Sequence, residues 1–269
     1  METRPRSGMY AAFGFHVPFE ERLAKIAEIG FEATSMWWEH KNERIRKLKY
    51  LAPAMIKGVG LDLESIHVPY SDCNHLWSDD DVARDASLNQ HLEWIDDCNR
   101  HEVRIMVMHV TLGKQPPAVN QIGIASYETL VRHAEEQGVV VAIENTRVND
   151  HIDALFNQID SSSLGFCYDI SHDVLYSNDP GKLLRDHGAR LASTHLADTD
   201  GKLDRHWLPG AGSIDYADIL QSFPTQTYRG ALMLEVSSGR KNNSVPEFIE
   251  DARESLNKEI FERIYPNGS

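Results

Sequence analysis

Eight short runs of apolar, β-branched or aromatic residues alternate along this chain with segments of helical spacing, and no linker interrupts the series. The runs lie near "MYAAFGFH", "FEATSMWW", "LDLESIHV", "VRIMVMHV", "VVVAIENT", "LGFCYDIS", "RLASTHLA" and "GALMLEVS". Between them, "FEERLAKIAEIG", "ERIRKLKYLAPAMIKGVG", "VARDASLNQHLEWIDDCNRH" and "ASYETLVRHAEEQG" read as helices, several closed by the glycine that a helix C-terminus favours. Strict succession of strand and helix predicts a parallel sheet, since parallel neighbours need a crossover connection and a helix is the usual one. With eight units the expected fold is α/β, a (β/α)8 TIM barrel; a doubly wound open sheet is the alternative. A chain of 269 residues suffices for one such domain, placed at residues 9–269 behind an N-terminal extension at 1–8.

In a barrel, strand residues alternate between the interior and the helix layer, and reactive groups sit at the C-terminal strand ends. Six successive runs obey one parity. Ser65 precedes His67, Val107 precedes His109, Ala142 precedes Glu144, Cys167 precedes Asp169, Ser193 precedes His195 and Met233 precedes Glu235, each by two positions. Strands three to eight are therefore expected to present three imidazoles and three carboxylates at one height around the mouth. Burying that many unpaired polar groups would cost several kcal/mol unless something neutralises them. A divalent cation does so, and imidazole with carboxylate suits Zn, Mn, Fe or Co.

Loop residues extend the set. His172 follows Asp169 by three residues in "DISH", close enough to reach a neighbouring cation from the same loop, and Asp204 and His206 in "DRH" can turn to one side of an extended segment. They sit in the loop "HLADTDGKLDRHWLPG", whose imidazoles no turn requires. His16 at the end of the first run and Trp37 and Trp38 at the end of the second are candidates to line a substrate pocket. Arg147 offers a fork of donors for a substrate phosphate or hydroxyl. His40, His75, His91, His101, His133, His151 and His187 fall away from the expected strand ends and are assigned no chemistry.

The remaining bounds come from composition. A formal charge of −14 disfavours a broad phosphate-binding surface, hence nucleic acid as a partner. Three cysteines without a CxxC pair suggest neither a disulfide framework nor a thiolate zinc site, and Cys167 reads as a small core residue. No membrane-length apolar stretch or leader-like start is expected, which points to a cytoplasmic protein, with homo-oligomerisation open.

The segments "IENT", "CYDISH", "HLADTDGKLDRHWLPGAGSIDY" and "LMLEV" resemble the xylose isomerase-like TIM barrels, a superfamily that holds sugar isomerases and epimerases together with endonuclease IV. The resemblance implies two chemistries. Sugar epimerases of the superfamily hold a single metal with Glu, Asp, His and Glu, matched here by Glu144, Asp169, His195 and Glu235. The metal then chelates carbonyl and hydroxyl oxygens and stabilises an enediolate, while Glu144 and Glu235 act as base and acid on opposite faces of a sugar or sugar phosphate. Endonuclease IV holds a trinuclear zinc site whose further ligands are matched by His67, His109, His172, Asp204 and His206, so one to three ions per chain are implied, and phosphoester hydrolysis is the alternative activity. Against the abasic-DNA version, "IENTRVNDH" stands where a "TAGQG"-like segment is expected, and "DTDGK" replaces "DSK". A metal-stabilised binding module without catalysis is the non-enzymatic alternative; a closed coordination shell would mark it.

Overall fold

The computed structural model describes residues 4–39, 43–239 and 244–266, with 43–48 described by backbone alone. Eight parallel strands run in the order β7-β6-β5-β4-β3-β2-β1-β8. They are β1 (Ser7–Tyr10), β2 (Ala33–Trp37), β3 (Asp62–His67), β4 (Ile105–His109), β5 (Val140–Glu144), β6 (Leu164–Asp169), β7 (Leu191–His195) and β8 (Leu232–Leu234). The ring closes between β7 and β8 through a parallel bridge, Leu196 with Leu234; Leu196 N–H donates to Met233 at 2.9 Å and Glu235 N–H to Leu196 at 3.1 Å. That closure selects the single-domain barrel over the open sheet. Main helices between strands include α1 (Phe19–Glu28), α2 (Glu43–Gly58), α3 (Asp81–Arg100), α4 (Gln121–Gln137), α5 (Asp150–Gln158) and α6 (Ile170–Tyr176).

Local sequence accounts for the helix ends. Asn120 caps α4 by accepting from Gly123 N–H at 2.8 Å, and Gly138 ends it at φ 68, a left-handed conformation that costs glycine nothing. The first expected run is shortened: β1 ends at Tyr10, and Gly14 at φ 90 turns the chain away, so His16 is an exposed loop residue and not a strand end. Ser7 and Gly8, counted with the extension from sequence, already pair in the sheet. Among the described residues no helix is long and apolar enough to cross a membrane.

The expected parity holds inside the barrel. Val107, Ala142 and Cys167 pack with Ile105 in the interior, and Met233 packs with Ala33 and Ala231. The residues between them, such as Met106, Met108, Val141, Ile143 and Phe166, join the larger core under the helices. The single height is corrected, however. His109 pairs with Glu144 and Asp169 with His195, but His67 pairs with Val107 and Glu144 with Cys167. The polar ring therefore steps by two residues between β3 and β4, between β5 and β6 and, through the Leu196–Leu234 bridge, between β7 and β8, because closing a barrel requires tilted strands and a staggered register. All three cysteines are buried and free.

Candidate active site

At the C-terminal strand ends lies a cavity of about 490 Å³. Glu144, Glu235, His67, His109, His172, Asp204 and His206 all line it, while Asp169 and His195 are buried next to those carboxylates. Glu144 is the hub: Oε2 lies 3.0 Å from His67 Nε2 and 3.2 Å from His109 Nε2, and Oε1 lies 2.9 Å from His195 Nδ1. Glu235 Oε2 is 3.2 Å from the same His195 Nδ1. Among the described residues two groups of donor atoms lie within 4.8 Å of one another: His67, Glu144 and His195, and Glu144, Asp169, His195 and Glu235.

The backbone explains how the loop side chains reach the cavity. Asp169 ends β6 and caps α6, its Oδ1 accepting from His172 N–H at 2.8 Å, so the imidazole three residues on shares its face. Asn145 clamps β5 to β6 by exchanging two 2.8 Å bonds with the Asp169 backbone. His206 does not sit in an extended segment as expected. It adopts φ 50, the left-handed region that a non-glycine residue rarely enters, and is held there by Nδ1 donating to Glu235 O at 2.9 Å and by Ser237 N–H donating to His206 O at 2.7 Å.

Sequence reasoning missed the residue that organises this loop. Asp198 is fully buried and accepts from four backbone amides, those of Thr199 (2.7 Å) and Ile214 (3.2 Å) on Oδ1 and of Gly210 (3.0 Å) and Gly212 (2.9 Å) on Oδ2. It also pairs with Trp207 in an antiparallel bridge. Asp198→Ala is expected to destabilise the protein by roughly 3–5 kcal/mol, because four amides lose a charged acceptor inside the fold. Urea unfolding measures this; a loss under about 1 kcal/mol would mean the loop holds itself.

Tautomers say what the site needs. His67 Nδ1 donates to Val68 O, His172 Nδ1 to Asn145 O and His206 Nδ1 to Glu235 O, each at 2.9 Å. A carbonyl only accepts, so each neutral ring turns a bare Nε2 lone pair toward a carboxylate: Glu144 at 3.0 Å for His67, and Asp204 at 3.2 Å for His172 and 3.1 Å for His206. Acceptor facing acceptor demands a proton or a cation between them. An imidazole whose other nitrogen is anchored on a carbonyl is also how metal-binding histidines are oriented. His109 Nδ1, His195 Nε2 and Asp204 Oδ1 are buried without a hydrogen-bond partner.

Electrostatics agree. Burial would raise Glu144, but His195 and His109 beside it hold it well below the usual carboxylate range. Burial also pushes Asp169 up to about 7, with Glu144, Asp204 and Glu235 adding to the rise against the opposing pull of His172. For His206, burial lowers the ring, but the hydrogen bond to Asp204 and the charge of Glu235 carry it up to about 10. A cluster so rich in competing charges is one a divalent cation fits.

The other expected residues separate. Trp37 lines the cavity 5.3 Å from the His67 ring, whereas Trp38 is buried in the helix layer with Nε1 donating to Asp97 at 2.9 Å. Arg147 lines the cavity and His16 does not. Tyr10, Tyr70 and Tyr176 line it too and were not singled out from sequence. Tyr10 was findable, since it ends β1; Tyr70 stacks on His109 at 4.5 Å through a loop whose path no periodicity reveals. His75, His91, His101, His133, His151 and His187 lie outside the cavity, and His40 lies outside the described residues.

A closed parallel barrel with carboxylates and imidazoles gathered at its C-terminal mouth defines the class: a TIM barrel with a polar, cation-suited site. The family follows from comparison with known proteins. A family model described as xylose isomerase-like TIM barrel matches residues 23–259, and the chain belongs to that family. An uncharacterised protein of Sinorhizobium fredii is 34% identical over 124 residues, 43% of this chain and 39% of that one, so the chain spans well under half of that relative. Fructoselysine 3-epimerase of Escherichia coli O157:H7 is 20% identical over 251 residues, 86% of this chain and 90% of that one. Among solved structures, a xylose isomerase-like TIM barrel/4-hydroxyphenylpyruvate dioxygenase fusion protein is similar with TM-score 0.80 and 19% identity, covering 97% of this chain and 43% of that one. An L-ribulose 3-epimerase is similar with TM-score 0.78 and 16% identity, covering 96% and 95%.

Proposed function

We propose that this chain is a divalent-metal-dependent isomerase or epimerase of a sugar or sugar phosphate, moving a proton on the carbon beside a carbonyl. The observation that carries the reading is the convergence of Glu144 and Glu235 on His195 Nδ1, at 2.9 and 3.2 Å, with Asp169 in the same 4.8 Å group at a sugar-sized cavity. Similarity to a fructoselysine 3-epimerase and to an L-ribulose 3-epimerase supports it.

Glu144, Asp169, His195 and Glu235 are the residues that would hold Zn, Mn, Fe or Co. Such a cation, when bound, polarises the carbonyl and the neighbouring hydroxyl and so acidifies the C–H between them. Glu144, kept ionised by its imidazoles, takes that proton from one face. Glu235, just beyond β8 and lining the cavity, returns a proton to the other face, so the carbon's configuration inverts. Trp37 and Tyr70 supply flat apolar walls against which a sugar ring packs.

In deuterium oxide a ketose substrate is expected to gain deuterium at the carbon next to its carbonyl; release of phosphate with no exchange would sink the reading. Chelation is expected to lower the exchange rate by about 100-fold or more, with recovery on adding Mn, Co, Fe or Zn. Circular dichroism should show the barrel intact without metal, because its core is apolar; unfolding on chelation would favour a structural ion instead.

A second reading, a multinuclear phosphoesterase, is favoured by one specific observation: the fixed tautomers of His172 and His206 aim two Nε2 atoms at Asp204, a carboxylate outside the set of Glu144, Asp169, His195 and Glu235. In it His67, His109, His172, Asp204 and His206 would hold further ions. Metal stoichiometry in natively purified protein and His206→Asn separate the two. One ion per chain and a variant within about tenfold of wild type support the epimerase, whereas three ions and a collapse of activity, with oxygen-18 from water entering a product, support the hydrolase.

A further inference from the structure

Among the described residues, Arg147 is the one Arg or Lys lining a cavity whose acidic walls are Glu144, Glu235 and Asp204. Its guanidinium carbon sits 4.2 Å from the centroid of the Tyr176 ring, another lining residue. No ion pair engages it among the described residues: Asp204 faces His172 and His206, and Glu144 faces three imidazoles. The guanidinium is exposed at the mouth and rests there on an aromatic face. A guanidinium resting on a ring face keeps its edge of N–H donors free, in the fork that matches a carboxylate or phosphate. Arg147 is three residues beyond Glu144, and both line the one cavity of about 490 Å³. The reacting carbon and the group held by Arg147 therefore fit within one small molecule.

We propose that the substrate is an anionic sugar, phosphorylated or carboxylated, whose acidic group is held by Arg147 on its Tyr176 seat. This rests on the sugar epimerase reading and deepens it. A neutral sugar needs only hydroxyl partners, which Thr111 and Thr146 on the same lining already offer. The fixed positive charge has a use only for an anion, and the carboxylate cluster beside it then repels a misplaced acidic end, so the substrate enters in one orientation.

The test compares D-fructose, D-fructose 6-phosphate and D-fructuronate on Mn-loaded protein, reading deuterium exchange and, separately, binding by calorimetry. One of the two anionic compounds is expected to exceed D-fructose by about 100-fold in kcat/KM, and which one identifies the anion as phosphate or carboxylate. Arg147→Met should bring that preference near unity through KM, with little change in kcat. Tyr176→Leu should lower it about tenfold by freeing the guanidinium. If Arg147→Met weakens all three compounds alike, or if D-fructose matches both anions, the proposal is overturned. Should none of them exchange deuterium, the epimerase reading fails, and calorimetry still decides here: binding of an anionic compound that Arg147→Met abolishes upholds the anion site, and binding indifferent to it ends it.

Discussion

Glu144→Gln is expected to lower deuterium exchange into a ketose by at least about 10³-fold while leaving the fold in place. The general base alone accounts for 10²- to 10⁴-fold. Glu144 also stands within 3.2 Å of three imidazoles, so the variant loses its charge partner for His67, His109 and His195 together. Glutamine keeps the volume of a residue that is 1% exposed, and no cavity opens. Two roles must be told apart, ligand and base. Raising the metal concentration until occupancy matches wild type removes the first, and the base role predicts that the refilled variant stays inactive. Recovery to within about tenfold would leave Glu144 as a ligand only.

The second large effect is expected at Glu235. Glu235→Gln should abolish epimerisation, again by about 10³-fold, yet spare exchange at the epimer whose C–H faces Glu144. The two carboxylates reach the cavity from β5 and from just beyond β8, and in the proposed mechanism each serves the face it meets. Glu235 is also the more accessible of the two, with a 22% exposed side chain against 1% for Glu144, which suits a group that trades its proton with water between turnovers. Deuterium exchange is followed for each epimer separately, at equal metal occupancy. If both epimers exchange at the wild-type rate, Glu235 moves no proton; if neither does, the two carboxylates act as one unit and the division by face is wrong.

Much of the architecture was legible because burial periodicity is local. Val107 and His109, Ala142 and Glu144, or Cys167 and Asp169 share a face whenever the segment is a strand, and the structure puts Val107, Ala142 and Cys167 inside the barrel as that rule demands. His172 was readable for a similar reason, since a helix cap and the third residue after it face the same way. His16 went wrong because a run of apolar residues does not announce where a strand stops, and Gly14 ends the extension early. Asp198 was invisible: its value lies in four amides from residues 199 to 214, which no spacing rule gathers.

From the order of its residues alone this protein was committed to alternating strands and helices, to a polar rim and to the kinds of ligand that rim offers, all of which depend on near neighbours in the chain. Tertiary structure alone decided the stepped register of the rim, the loop wound around Asp198, the tautomers of His67, His172 and His206 and the seating of Arg147 on Tyr176. Those are relations between atoms far apart in the chain, and they come into being only when tilted strands close into a ring.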